Sequence, residues 1–231
     1  MPVLNFLSAG AAQGLLKALQ PDFEASQGVT LQGRFGAVGA MKEALLAGEP
    51  CDLFVSTDTM VVDLATQGRL DGSTRAPLGR VRTGVAVRTG DSWPDVSTPE
   101  SLRAAMRAAS GIYFPDPLRA TAGIHFAQVL RDLSIHDELL ARFRTFPNGA
   151  TAMRELAAAT GPGMIGCTQV TEILYTAGVE LVAMLPPQFE LATVYTAAVT
   201  AGSPQAALAQ QLVQRMAGDE AAALRRQGGF E

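Results

Sequence analysis

Arg34 and Arg119 have the chemistry to hold a carboxylate, because a guanidinium forks onto it with two parallel hydrogen bonds. Each stands beside a cluster of tiny residues. Arg34-Phe35 runs into Gly36-Ala37-Val38-Gly39-Ala40, and Arg119 follows Asp116-Pro117-Leu118 into Ala120-Thr121-Ala122-Gly123. Two further clusters are Ser8-Ala9-Gly10-Ala11, after Asn5-Phe6-Leu7, and Asn148-Gly149-Ala150-Thr151, after Phe146-Pro147. Each follows an apolar run that reads as a strand end, and each opens a helix. A helix start has unpaired N–H groups and roughly +0.5 of an elementary charge, so it attracts anions. Small residues let the backbone itself approach a ligand. Four such junctions suggest a cage of amides around a small anion, with Ser8, Thr121, Thr151, Thr168 and Gln169 as neutral donors near its edges.

Catalytic chemistry has less behind it. His125 lies one turn into a helix and has the type for acid–base work, but Ile124 and Phe126 beside it favour packing. His136, next to Asp137, reads as a surface residue. Ser8, Thr121 and Thr168 are further weak candidates, none of them a base by itself. Cys167 reads as pocket wall rather than nucleophile, with no neighbouring His or Lys to lower its pKa. Glu172, the nearest acid to the late junction, reads as completing its own helix's first turn. Cys51 and Cys167, with two distant histidines, have no metal-ligand spacing. No metal or cofactor is expected, since P-loop, Rossmann fingerprint and nucleophile elbow are all missing.

The elements that must position these residues alternate. Strands are expected at 3–7, 29–34, 53–55, 84–88, 111–114, 179–184 and 193–199, with Cys167 ending another at 164–167. Helices are expected at 11–19, around Met41–Leu46, after Thr57 and Asp58 as caps, and after Thr98 with Pro99 in the first turn. Others follow at 122–132, 136–143 and 150–159, and Ser203 is expected to cap a terminal helix ending near Gly218. This is an α/β pattern with mostly parallel sheet flanked by helices. Two lobes are expected, 1–82 plus 196–231 and 83–195, joined by crossover strands near 83–87 and 192–197. The junctions would then line a ligand cleft between them, at the carboxyl ends of strands.

Composition narrows the partners. The net charge is −4 and 17% of the 231 residues are charged, which argues against nucleic acid and against basic membrane attachment. No apolar run approaches the roughly 20 residues of a transmembrane helix. Met1-Pro2-Val3 opens directly into a strand with no signal-peptide pattern. The chain as written reads as cytoplasmic, or as periplasmic if it is a processed or recloned mature form.

The chain resembles the molybdate-binding members of the type II periplasmic substrate-binding proteins. The residues carrying the likeness are Phe6-Leu7-Ser8-Ala9-Gly10, the run from Ala47 to Asp58 containing Pro50-Cys51-Asp52-Leu53-Phe54, Asp116-Pro117 with Ala122-Gly123-Ile124, and Gly228-Gly229-Phe230. The resemblance implies two α/β lobes, hinge closure on a small anion, and a transporter partner if the protein is exported. It also marks departures. The serine hydroxyl of such proteins falls at Gly10, their serine-rich turn at Gly36-Ala37-Val38-Gly39, and their late tyrosine at Cys167. Each lost donor to a charged group is worth about 1.5–3 kcal/mol, so a carboxylate-bearing metabolite is expected ahead of molybdate or tungstate. Residues 35–41 and 169–174 are similar in character to an aconitate-isomerase-like branch, which makes isomerisation of a polycarboxylate the alternative. The expected ligand set is Ser8, Ala9, Gly10, Arg34, Gly36, Val38, Gly39, Arg119, Thr121, Ala122, Gly149, Ala150, Thr151, Cys167, Thr168 and Gln169.

Overall fold

The computed structural model describes residues 1–231. In chain order the elements are β1 (Val3–Ala9), α1 (Gln13–Gln27), β2 (Thr30–Gly36), α2 (Val38–Leu46), β3 (Leu53–Thr57), α3 (Asp58–Thr66), β4 (Ala76–Arg88) and α4 (Pro99–Ala108). Then come β5 (Gly111–Pro115), α5 (Thr121–Asp132), α6 (His136–Leu139), β6 (Phe143–Phe146), α7 (Gly149–Ala158), β7 (Met164–Gln169) and α8 (Val170–Tyr175). The chain finishes with β8 (Val179–Met184), β9 (Ala192–Val199), α9 (Ala206–Ala217) and α10 (Ala222–Gln227). It divides into two compact units, Met1–Val81 with Thr193–Glu231, and Arg82–Ala192. No helix is long and apolar enough to cross a membrane.

In the first unit the strand order is β2-β1-β3-β9, parallel except for β9. The five residues of β3 are all buried, as expected of a central strand covered on both faces. Leu4, Phe6, Leu53 and Val55 face a core with Leu16 and Phe23 of α1 and Leu212 of α9. Leu7 and Phe54 face the opposite side with Met41, Val61 and Leu64. Asp52, at the foot of β3, is almost fully buried and binds this unit together. Its carboxylate accepts from the Asn5 amide at 2.7 Å and from the Ser203 hydroxyl at 2.6 Å.

In the second unit the order is β4-β7-β5-β6, with β8 on the other side of β4. β5, β6 and β7 are parallel, and β4 is antiparallel to β7. Helices α4 and α5 cover one face through Leu102, Met106, Phe126 and Leu130, packed with Val85, Ile112, Phe114 and Cys167. Helix α7 covers the other through Ala152, Met153 and Leu156, packed with Ala86.

Several expected boundaries are corrected. The first helix does not stop at Leu19 but continues past Pro21 to Gln27. Phe23, beyond the proline, is almost fully buried, so packing outweighs the cost of about 3 kcal/mol for proline inside a helix. It ends at Gly28, whose φ of 60° is the left-handed conformation glycine adopts freely. The helix expected over 136–143 is one turn of α6, then a 3-10 turn, then strand β6. Phe143 joins the sheet because its ring meets Phe114 edge-on at 5.2 Å. His136 is also not simply a surface group, since its ring packs on Phe143 at 5.4 Å. Ser203 does not cap the terminal helix, which begins at Ala206 after Gln205; its hydroxyl serves Asp52. Thr57 likewise makes no cap bond to α3. Helix α10, beyond Gly218, carried no expectation.

Candidate anion site at the helix starts

In the first unit, β1 and β2 end side by side, with Ala9 opposite Gly36. The chain leaves β1 through a 3-10 turn, Gly10–Ala12, and leaves β2 through Ala37 into α2. The N-cap positions of that turn, of α1 and of α2 are Ala9, Ala12 and Ala37, and none is capped by a side chain. No acid occupies their first turns. Alanine is among the poorest N-caps, about 1 kcal/mol worse than Ser, Thr, Asp or Asn. Ser8 is fully buried, and its hydroxyl donates to the neighbouring Ala9 carbonyl at 3.0 Å. Ala9, Gly10 and Gly36 are buried, while Val38 and Gly39 are half-buried.

Arg34 belongs to a different arrangement. It forks onto Glu49, with Nε to Oε1 and Nη2 to Oε2 both at 2.7 Å, and is half exposed. The ion pair raises the guanidinium pKa and lowers that of the Glu49 carboxyl. The clamp expected at Arg34 is thus closed on the protein's own carboxylate.

In the second unit, β5 and β6 also end side by side, with Pro115 opposite Phe146. Helix α5 starts after Ala120 with no side-chain cap and no acid in its first turn. Gly123 is needed here because a Cβ would collide with the carbonyls of Pro115 and Asp116. Thr121 is half-buried and Ala122 buried, whereas Arg119 is exposed on the turn before the helix. The Nε2 of His125 is 2.8 Å from the Phe189 carbonyl. A carbonyl only accepts, so Nε2 carries the proton and the neutral ring's lone pair is on Nδ1.

Helix α7 is different, because its start is already occupied. Asn148 is the N-cap, accepting the Thr151 amide at 2.8 Å. The carboxylate of Glu172 accepts from the Ala150 amide at 3.3 Å and from the Thr168 hydroxyl at 2.6 Å. A Cβ on Gly149 would overlap both the Glu172 carboxyl and the Thr168 hydroxyl. Glu172 lies in the first turn of its own helix α8, as expected, and its carboxyl also serves the start of α7. Burial raises its pKa despite the opposing bonds from Thr168 and from the amides of Ala150, Gly149 and Gln169. Of the four expected amide sites, three have no side-chain cap and one holds an internal carboxyl.

Along β7 the side chains alternate between the two faces. Cys167 is fully enclosed in the core beneath α5, and burial pushes its thiol well above the usual range. It is core rather than pocket wall. Cys51 is a free thiol raised to about 11 by burial. Thr168 points to Glu172. Gln169 is 2% exposed, and neither its Nε2 nor its Oε1 has a partner. A separate hollow of about 250 Å³ is lined by Trp93, Ala109 and Met164, at the start of β7 and away from the helix starts.

The sequence matches the family model of bacterial extracellular solute-binding proteins over residues 4–231. Aconitate isomerase from a Pseudomonas species is 24% identical over 225 residues, covering 95% of this chain and 84% of that protein. The molybdate-binding protein ModA of Escherichia coli strain K12 is 26% identical over 237 residues, covering 95% of this chain and 86% of that protein. Among solved structures, the periplasmic molybdate-binding protein of Azotobacter vinelandii is similar with a TM-score of 0.80. It is 21% identical and covers 99% of this chain and 98% of that one.

Proposed function

The chain belongs to the bacterial extracellular solute-binding proteins and has the type II periplasmic-binding fold, and from that premise we propose that it binds a small carboxylate-bearing metabolite. The observation that carries this reading is the set of uncapped, acid-free helix starts after Ala9, Ala37 and Ala120. A bound anion supplies the acceptors that alanine caps lack, with charge-assisted hydrogen bonds of about 1.5–3 kcal/mol each. Arg119, on the turn before α5, is the proposed guanidinium partner of a carboxylate.

Two features favour carboxylates over molybdate, tungstate or sulfate. Side-chain hydroxyls are missing at Gly10 and at residues 36–39. The α7 start is already bonded to Glu172, so its amides are taken before any anion arrives. A compact tetrahedral dianion then has fewer donors, whereas a polycarboxylate spreads its charge. An exported form of the protein would deliver this ligand to a membrane transporter, as expected of the family.

The test is a thermal-shift panel of oxyanions and di- and tricarboxylates. A ligand at 100 times its Kd adds about 2.7 kcal/mol of stability. Shifts with carboxylates but not with molybdate support the reading, and shifts with molybdate alone overturn it.

A second reading is isomerisation of a polycarboxylate, favoured by the likeness to aconitate isomerase and by a buried carboxyl, Glu172, whose raised pKa lets it hold a proton above the usual range. It needs an acid–base group within about 3 Å of the substrate C–H. Incubation with trans-aconitate, followed by NMR for the cis isomer, tests it; no turnover at high protein concentration leaves binding alone.

A further inference from the structure

Three polar atoms meet at the end of β7 with nothing to bond. Thr83 of β4 and Gln169 of β7 are directly opposed in the antiparallel ladder. Each is 2% exposed, yet Thr83 Oγ1, Gln169 Nε2 and Gln169 Oε1 all lack partners. Opposed residues have Cβ atoms about 5 Å apart, so the amide and hydroxyl form one polar patch. An unbonded buried polar group costs about 1–3 kcal/mol, and buried polar groups are nearly always paired. Three together call for a polar occupant.

The patch lies by the open start of α5. Val85, two residues beyond Thr83, and Cys167, two before Gln169, face the core shared with Phe126 and Leu130 of α5. Side chains alternate along a strand, so Thr83 and Gln169 face the same side. Helix α5 follows β5, which is parallel to β7, so its first turn is level with the carboxyl end of β7, where Gln169 is the last residue. An uncapped helix start and an unbonded amide therefore share one edge of one face.

We infer that Gln169 and Thr83 read a hydroxyl on the ligand, so that the carboxylate proposed above is a hydroxycarboxylate. This rests on the proposed carboxylate binding. The amide offers a donor at Nε2 and an acceptor at Oε1, while a carboxylate or oxyanion carries acceptors only. Such a ligand offers Oε1 no donor; a ligand hydroxyl donates to it and accepts from the Thr83 hydroxyl or from Nε2. The unpartnered atoms are all neutral, which suits a hydroxyl rather than an ammonium.

The experiment is calorimetric titration of the whole protein with citrate against tricarballylate and malate against succinate, pairs that differ by one hydroxyl. A site built to bond a hydroxyl rejects the analogue without it. The hydroxylated member of whichever pair binds is expected to be tighter by about tenfold or more. Gln169→Met and Thr83→Val should each bring the two members to within about threefold of each other. Equal affinities in the parent, or discrimination that survives both substitutions, overturn the inference and leave carboxylate binding standing. No heat from any of the four overturns both. If Gln169→Met does not fold, by circular dichroism, Thr83→Val and the parent's own preference decide.

Discussion

Glu172 caps a helix that begins well before it in the sequence, its carboxyl accepting the Ala150 amide at 3.3 Å and the Thr168 hydroxyl at 2.6 Å. An internal acid thus occupies the start of α7. Its pKa is raised, mainly by burial, so the folded state holds the proton more tightly than the unfolded chain. That contribution to stability is full below the unfolded value near 4.5 and is lost as pH rises through the folded one. Urea titrations across this range should show wild-type stability falling with rising pH and Glu172→Gln markedly flatter. Parallel pH profiles would contradict the assignment.

Gly149→Ala tests the same contact sterically. The added methyl meets both the Glu172 carboxyl and the Thr168 hydroxyl, so the cap must open. A loss of about 2–4 kcal/mol is expected in denaturant titration, the range for a broken buried network. A change below about 0.5 kcal/mol, as for ordinary surface substitutions, would mean the carboxyl is not held there.

Much of the fold was legible in the sequence because buried parallel strands read as short apolar runs and the helices between them keep a helical period. Helix starts were visible as clusters of small residues. What escaped depends on contacts across the chain. No local pattern marks Glu172 as the cap of α7, or brings Thr83 opposite Gln169. Edge strand β6 is too short to show alternation, and α1 passes Pro21 only because Phe23 is buried beyond it. Arg34 has the right chemistry for a clamp, but Glu49 claims it.

Asp52, in the run from Ala47 to Asp58 that carries part of the family resemblance, has a structural role. Asp52→Ala leaves the Asn5 amide and the Ser203 hydroxyl without their acceptor. Denaturant titration should show a loss of about 2–4 kcal/mol, with ligand affinity per folded molecule unchanged. Loss of affinity at full folding would instead make it a ligand contact.

The two arginines should separate. Arg34→Ala removes an exposed ion pair, worth about 0–1 kcal/mol, and should leave carboxylate affinity within about threefold. Arg119→Ala should weaken it by about 1.5–3 kcal/mol, as for a hydrogen bond to a charged group. Calorimetry on both variants with the tightest carboxylate of the panel checks this, and the reverse order would put the clamp on Arg34.

The proposed carboxylate is held by amides at the uncapped helix starts and not at α7. An amide-resolved NMR titration with the tightest-binding carboxylate measures this directly. The amides of Gly10, Ala11, Val38, Gly39, Thr121 and Ala122 should shift with saturation, while those of Ala150 and Thr151, already bonded to Glu172 and Asn148, stay near their unliganded positions. Dominant shifts at Ala150 and Thr151, with the other starts unmoved, would contradict it.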